Sequence, residues 1–226
     1  MFKPRSSLSD EQIYQEIHDA IVEGRLAPGT KLSQDELAKV FGTSKTRLRP
    51  VLFRLAEQGI VSMEQNRGAF VAMPSIEEVN QVLDARILLE EGLMRRLSGA
   101  LDEEQLQALR DVVQEEQEAR TRNERAKAHR CSGRFHILLS QFTDNPVLVE
   151  LNRMLISRNA VAVAMYQRGS CSIDGHSKII EALSKGDTEC AIQVAVDHLL
   201  DIKNSLDASL PQRAYGGLYE ALYGTT

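Results

Sequence analysis

The sequence is poor in the features that announce an enzyme, a secreted scaffold or a membrane protein. Its three cysteines, Cys131, Cys171 and Cys190, are odd in number and show no C-x-x-C spacing. That argues against a disulfide framework and a thiolate zinc cluster, and leaves free thiols that mostly pack. No apolar run approaches the ~18–20 residues that a membrane span needs, and the opening MFKPRSSLSDEQ has no hydrophobic signal core. A cytoplasmic chain with no membrane partner is the expectation. H-E-x-x-H, G-x-S-x-G and a glycine-rich phosphate loop are all missing. A strong charge of one sign is missing too, since the net charge is -5.

What is there is an ordinary globular composition, 42% hydrophobic and 26% charged, over 226 residues. That length allows two domains of common size. Splitting the chain at Pro74 shows that the small net charge hides an asymmetry. Residues 1–74 carry 10 Lys+Arg against 9 Asp+Glu, whereas residues 75–226 carry 17 against 23. A polyanion would meet the first part, above all the acid-free stretch Ser44 to Arg54 with Lys45, Arg47, Arg49 and Arg54.

Capping signals divide the first part into short helices. Ser9 with Gln12 opens a helix whose apolar face is Ile13, Ile17, Ala20 and Ile21, and Gly24 ends it. After the Pro28-Gly29 turn, Lys31-Leu32 is long enough only for a small edge strand. Ser33 with Glu36 reads as a second capping box, opening a helix through Leu37, Ala38 and Phe41 that Gly42 stops. Ser44 caps a third helix with Leu48, Leu52 and Leu55 inward and Lys45, Thr46 and Arg49 outward. Two short helices joined by a glycine-containing turn, the second basic at its start, form a helix-turn-helix. The segments 60–63 and 69–71, around a turn at Gln65-Asn66-Arg67-Gly68, add a β-hairpin wing.

From Ser75 onward only helical periodicity is found, with helices expected near 75–98, 102–122, 124–142, 146–166, 173–185 and 188–207. The fold expected is therefore mainly α. A winged helix-turn-helix occupies 1–74, an all-α helical bundle 75–210, and a loose tail 211–226. Inside the bundle, polar residues sit on apolar stripes. Arg86 and Glu90 lie with Val79, Leu83 and Leu93, and Arg158 with Leu148, Leu151, Leu155, Ala162 and Met165. His136, His176 and His198 each fall among aliphatic or aromatic neighbours. Such groups suggest a shared polar cavity, because a buried charge is costly unless it is paired or liganded. Each also has a plainer reading, as a satisfied core histidine or as a structural Arg86–Glu90 salt bridge.

The order Gly24-Arg25-Leu26-Ala27-Pro28-Gly29-Thr30-Lys31-Leu32, Glu36-Leu37-Ala38, Phe41-Gly42-Thr43-Ser44-Lys45-Thr46, Arg49, Leu52, Arg54-Leu55, Gly59-Ile60-Val61 and Asn66-Arg67-Gly68-Ala69-Phe70-Val71 resembles the GntR-type regulators. Within them the likeness is to the branch whose C-terminal domain is the helical FCD type. Two departures stand out. Arg47 occupies a position where that family usually has proline, and Pro50 one where it does not. Pro50 lacks an amide for the Thr46 carbonyl, so a kinked or tighter recognition helix is expected.

The resemblance implies a transcription regulator that binds a two-fold symmetric double-stranded DNA operator as a homodimer. Ser44, Lys45, Thr46, Arg47 and Arg49, with Asn66, Arg67 and Gly68 at the wing tip, would meet DNA. It also implies a divalent metal, zinc or nickel by donor chemistry, on His136, His176 and His198. Ser132 stands where the family's aspartate ligand would be. A small organic acid effector would then meet Arg86, Glu90, Ser132 and Arg158. Two rival readings are a metal-dependent hydrolytic enzyme on a three-histidine site and a DNA-binding structural protein with no effector.

Overall fold

A computed structural model describes residues 8–166, 174–207 and 218–223. The Ser9 hydroxyl accepts from the Gln12 amide while the Gln12 side chain accepts from the Ser9 amide, and this capping box starts α1 (Asp10–Val22). Ile13, Ile17, Ala20 and Ile21 are its buried face, as their spacing predicts. α2 (Gln34–Phe41) has only half of the expected box. Ser33 accepts from the Glu36 amide, but no return bond from the exposed Glu36 side chain is present. Gly42, at φ 60°, adopts the left-handed conformation that ends α2.

α3 (Lys45–Glu57) runs unbroken through the exposed Pro50. Its first turn is tightened, because the Ser44 carbonyl accepts from both the Arg47 amide (3.1 Å) and the Leu48 amide (3.3 Å). Leu48, Val51, Leu52 and Leu55 are buried beneath it. β1 (Val61–Glu64) and β2 (Gly68–Val71) form the antiparallel hairpin in the register Val61↔Val71 to Glu64↔Gly68. Lys31 adds a single bridge to Phe70, which is all that survives of the expected edge strand.

The remainder contains α4 (Ile76–Leu97), α5 (Glu103–Thr121), α6 (Arg125–Gln141), α7 (Pro146–Tyr166), α8 (Gly175–Lys185), α9 (Thr188–Asn204) and α10 (Leu218–Tyr223). Ser75 and Asp102 start α4 and α5 with full capping boxes, and Asp187 caps α9. The Asn145 side chain accepts from the amides of Val147 and Leu148 to start α7. Among the described residues no helix is long and apolar enough to cross a membrane. Cys131 is a buried free thiol and Cys190 an exposed one, while Cys171 lies outside the described residues.

The chain falls into two compact units, residues 1–73 with 211–226, and residues 74–210. In the second unit one apolar cluster joins α4, α5, α6, α8 and α9 through Leu93, Leu109, Phe135, Leu139, Ile179, Leu183 and Ala195. A smaller one joins α4, α7 and α9 through Val79, Leu83, Ala162, Leu199 and Ile202. Along α4 the polar pair Arg86 and Glu90 falls between the two clusters, and along α9 His198 does the same. Gly133 brings α6 against α7, since a Cβ there would sit 3.2 Å from Ile156 Cγ2.

Two expectations are corrected. The inward face of α7 is Asn152, Ile156, Ser157, Asn159, Ala162 and Met165, whereas Leu151 is 43% exposed and Arg158 only half-buried. Apolar residues ring most of α7, so their spacing does not fix which face turns inward. The segment expected as a loose tail contains α10, whose Leu218, Ala221 and Leu222 are buried. α10 packs on α1 and α2, and Arg25 Nη1 donates to the carbonyls of Ala221 (2.6 Å) and Leu222 (3.4 Å). Residues 216, 217 and 224, the glycines behind the tail reading, lie outside the described residues. A chain ending at Asp207 is expected to show faster amide exchange in α1 than the full chain. The loss should be roughly 1–2 kcal/mol, because the burial of two leucines is largely offset by the entropy of ordering so short a helix. Unchanged exchange in α1 would contradict the packing role of α10.

Candidate nucleic-acid interface and metal centre

The start of α3 carries the residues expected to meet DNA. Ser44, Lys45, Thr46 and Arg49 are exposed, and Lys45, Thr46 and Arg49 lie with Gln34, Pro50 and Phe53 around an open depression of about 540 Å³. Arg49 rests 5.6 Å from the Phe53 ring centroid, and Lys45 pairs with Asp35. On the hairpin, Asn66 (φ 62°) and Gly68 (φ 103°) supply the left-handed turn, and exposed Arg67 pairs with Glu64. These ion pairs are solvated and weak, so a phosphate can displace them.

Arg47 is placed differently from the expectation. Its guanidinium donates to Asp10 (2.6 and 2.8 Å), to Thr43 Oγ1 (3.3 Å) and to the Leu8 carbonyl (2.9 Å). An arginine at this position can fan its donors over acceptors preceding and opening α1, so it braces α1 against α3. Arg54 does likewise, pairing with Glu11 and lying 3.9 Å over the Tyr14 ring.

The second unit brings His136 of α6, His176 of α8 and His198 of α9 together, all buried, with one ligand nitrogen of each within 4.8 Å of the others. Phe135 stacks on His176 at 4.4 Å between centroids, which fixes that ring's plane. Glu90 Oε1 accepts from Arg86 Nη2 at 2.7 Å, and Glu90 Oε2 lies 3.0 Å from His136 Nδ1. That approach is ion-pair close but out of line for a hydrogen bond, so both atoms lack a hydrogen-bond partner. Glu116 of α5 is organised in a similar way. Its Oε1 accepts from Arg120, and its Oε2 accepts from His176 Nδ1 at 2.7 Å.

Burial would raise the Glu90 carboxyl, but the charges of His136 and Arg86 override it and hold it far below the ordinary carboxylate range. Glu116 is also lowered, its burial outweighed by His176 and Arg120. Burial pushes His136 below the usual imidazole value against the pull of Glu90. It pushes His198 well below, and the neighbouring His176 and His136 add to the effect. The carboxylates are thus charged, and His136 and His198 are neutral near pH 7.

Hydrogen bonds do not satisfy every nitrogen of this arrangement. His176 gives an Nδ1 proton to Glu116, and in the singly protonated ring its Nε2 carries a lone pair. His136 Nε2 faces that lone pair at 3.2 Å. If the His136 proton is on Nδ1, beside Glu90, two lone pairs face each other. If it is on Nε2, a lone pair faces the Glu90 carboxylate. Neither nitrogen of His198 has a partner. A divalent metal held by the three histidines would use such lone pairs, and three imidazoles backed by carboxylates are a donor set that fits zinc or nickel.

Of the other expected residues, Arg86 and Glu90 join the cluster, while Ser132 is half-buried one turn before His136. Arg158 is half-buried on α7 and exerts only a minor pull on Glu78. Glu116 was missed although a signal existed, since it continues the α5 stripe of Leu109, Val112 and Val113. Asn152 and Asn159 were missed with less excuse from pattern. Asn152 donates to the His136 carbonyl at 2.7 Å, and nothing in the ring of apolar residues on α7 marks it.

Comparison with known proteins gives the geometry its context. Residues 9–71 match the bacterial regulatory proteins of the gntR family, and residues 81–201 match the FCD domain. The chain is 25% identical over 201 residues to the HTH-type transcriptional repressor RspR of Escherichia coli, covering 87% of this chain and 88% of that one. It is 24% identical over 192 residues to the HTH-type transcriptional regulator YdhC of Bacillus subtilis, covering 83% and 86%. A GntR transcriptional regulator from Rhodococcus superposes with a TM-score of 0.78 at 21% identity, over 86% of this chain and 95% of that one. The family and these relatives are transcription regulators, and the hydrolase reading finds no support among them. With both halves of the architecture matched in order, the chain belongs to the GntR family of DNA-binding transcription regulators and carries an FCD domain.

Proposed function

We propose that this regulator changes its operator affinity when a small carboxylate metabolite binds in the FCD domain beside a divalent metal held by His136, His176 and His198. The observation that carries the metal is the convergence of three buried imidazoles within 4.8 Å, with both nitrogens of His198 and Nδ1 of His136 lacking a partner. Arg86 supports the carboxylate. It is buried, its Nε has no partner, and a guanidinium in a closed site suits a bidentate anion. Glu90 orients Arg86, and Ser132 is the neighbour that an effector oxygen would replace as a ligand. Arg158, half-buried on α7, is left outside this set.

On the DNA side, Ser44, Lys45, Thr46 and Arg49 enter the major groove, and Asn66, Arg67 and Gly68 meet phosphates at the wing. A capped helix start offers free amides and a basic face to the backbone. Arg47 braces the reading unit instead of touching DNA. Two such units on one two-fold operator require a homodimer. Leu88 of α4 and Val147 of α7, 73% and 63% exposed, are apolar side chains of the kind a second copy covers. Sedimentation at micromolar concentration should give a dimer, and a 25.2 kDa species alone would contradict it.

Arg49→Ala is expected to weaken operator binding by about 1–3 kcal/mol with unchanged thermal stability. Arg47→Ala should do the reverse, lowering the melting temperature first. Anisotropy titrations and melting curves on both variants separate the roles, and operator binding by Arg49→Ala equal to the parent would sink the assignment.

Metal analysis after supply of zinc or nickel should find one ion per chain. In a His176→Ala, His198→Ala double variant it should find none. The histidines also set an acid limit. His136 and His198 are held below 6.5 when folded and return towards it when unfolded. The unfolded state therefore binds more protons below about pH 6.5, and the metal-free FCD domain should lose stability as pH falls from there. Denaturation midpoints flat between pH 7 and 5 would count against neutral buried imidazoles.

A further inference from the structure

We propose that Glu116 is a positioning residue of the histidine site, fixing His176 as the Nδ1–H tautomer so that its Nε2 lone pair is delivered to the metal. The inference deepens the metal reading given above and rests on it. Glu116 lies on α5, which contributes no histidine to the cluster, and it is buried with 4% of its surface exposed. A carboxylate is not placed there without a task, because removing it from water is costly unless every oxygen is partnered.

Both oxygens are partnered, and by different groups. Oε1 receives Arg120 through Nε at 3.0 Å and Nη2 at 2.5 Å. Oε2 receives His176 Nδ1 at 2.7 Å. Arg120, one turn along the same helix, holds the carboxylate from behind so that only one oxygen is presented to the ring. A carboxylate can accept but not donate, so the Nδ1 proton is obligatory, and in the singly protonated ring the other nitrogen is left with its lone pair. The Phe135 ring stacked on His176 restricts rotation about the remaining axis. Nε2 then points into the space shared with His136 and His198.

The same device occurs on the opposite side of the cluster with other residues. There Arg86 holds Glu90 Oε1 and Oε2 turns to His136 Nδ1. Each is an Arg–Glu pair spaced four residues apart on one helix, serving a histidine on another. His198 has no such carboxylate among the described residues, and both of its nitrogens lack a partner. The His176 ring is therefore set in advance, His136 has a carboxylate within ion-pair reach, and His198 is free to adjust its tautomer. Outer carboxylates of this kind raise the basicity of a ligand imidazole as well as orienting it.

The test uses the full chain, first stripped with a chelator, with zinc as the probe. Glu116→Gln keeps the volume but gives the ring a side chain that can donate as well as accept. Competition against a chromophoric chelator should show zinc affinity falling roughly 10–100-fold. Long-range 15N–1H spectra of the stripped protein should show His176 as a single Nδ1–H tautomer in the parent and as a mixture in the variant. Glu115→Gln, next in sequence but paired with Arg134 instead of a histidine, should change neither. Arg120→Met, which leaves Glu116 in place without its brace, should give a smaller loss and covers the case in which Glu116→Gln does not fold. If the parent binds zinc and Glu116→Gln loses no affinity, or loses it with the tautomer unchanged, the positioning role is overturned while the metal reading stands. If the parent binds no zinc, the metal reading falls, and an unchanged His176 spectrum in the variant overturns the role of Glu116 as well.

Discussion

The second unit is organised by one constraint, that charges taken out of water must find opposite charges or ligands. Arg86, Glu90 and His198 fall between two apolar clusters, and His136, His176 and Glu116 complete the buried polar group around them. Breaking either Arg–Glu pair leaves a buried charge unpaired, which costs more than the pair gained. The helices that carry them are consequently held in register by the polar layer as much as by aliphatic packing. Asn152 extends the same logic to α7, by spending its amide on the His136 carbonyl.

That layer is also where ligand binding acquires leverage. The two Arg–Glu pairs neutralise themselves, and His136 and His198 carry no charge near pH 7, so these groups are balanced before any ion arrives. A divalent cation therefore brings positive charge that the cluster does not cancel, and an anion arriving with it relieves the excess. Binding of the two would be mutually favourable by linkage. A regulator gains from this, because a metabolite can shift an equilibrium only by as much as its contacts differ between states.

The first unit is built differently, on an apolar core that includes Ile13, Ile17, Leu37, Leu48, Leu52 and Leu55. Its helices are short, and side-chain hydrogen bonds and ion pairs add to that core at the surface. Arg47 and Arg54 fasten α3 to the start of α1, and Arg25 caps the carbonyl end of α10. Basic residues therefore divide into two groups on one helix. Arg47 and Arg54 are committed to acceptors within the unit, and Lys45 and Arg49 stand in solvent beside weak partners.

Local rules read from the sequence by itself determined the helix-turn-helix, the wing and the bundle helices, because caps, glycine stops and period-3.6 stripes act within a few residues. Those rules also marked His136, His176, His198, Arg86 and Glu90 as polar groups on apolar faces. What they could not determine was which partners those groups meet. Arg47 was read as facing DNA because its donors look free until α1 is folded beside it. Arg158 was assigned to the interior because leucines surround α7 and disguise the face that turns inward. Glu116 needed α5 set beside α8 before its carboxylate had a histidine to orient. α10 is too short to be stable alone, and only the surface of α1 and α2 makes it a helix. In each case the deciding contact joins residues far apart in the chain, and only tertiary packing brings them within hydrogen-bond reach.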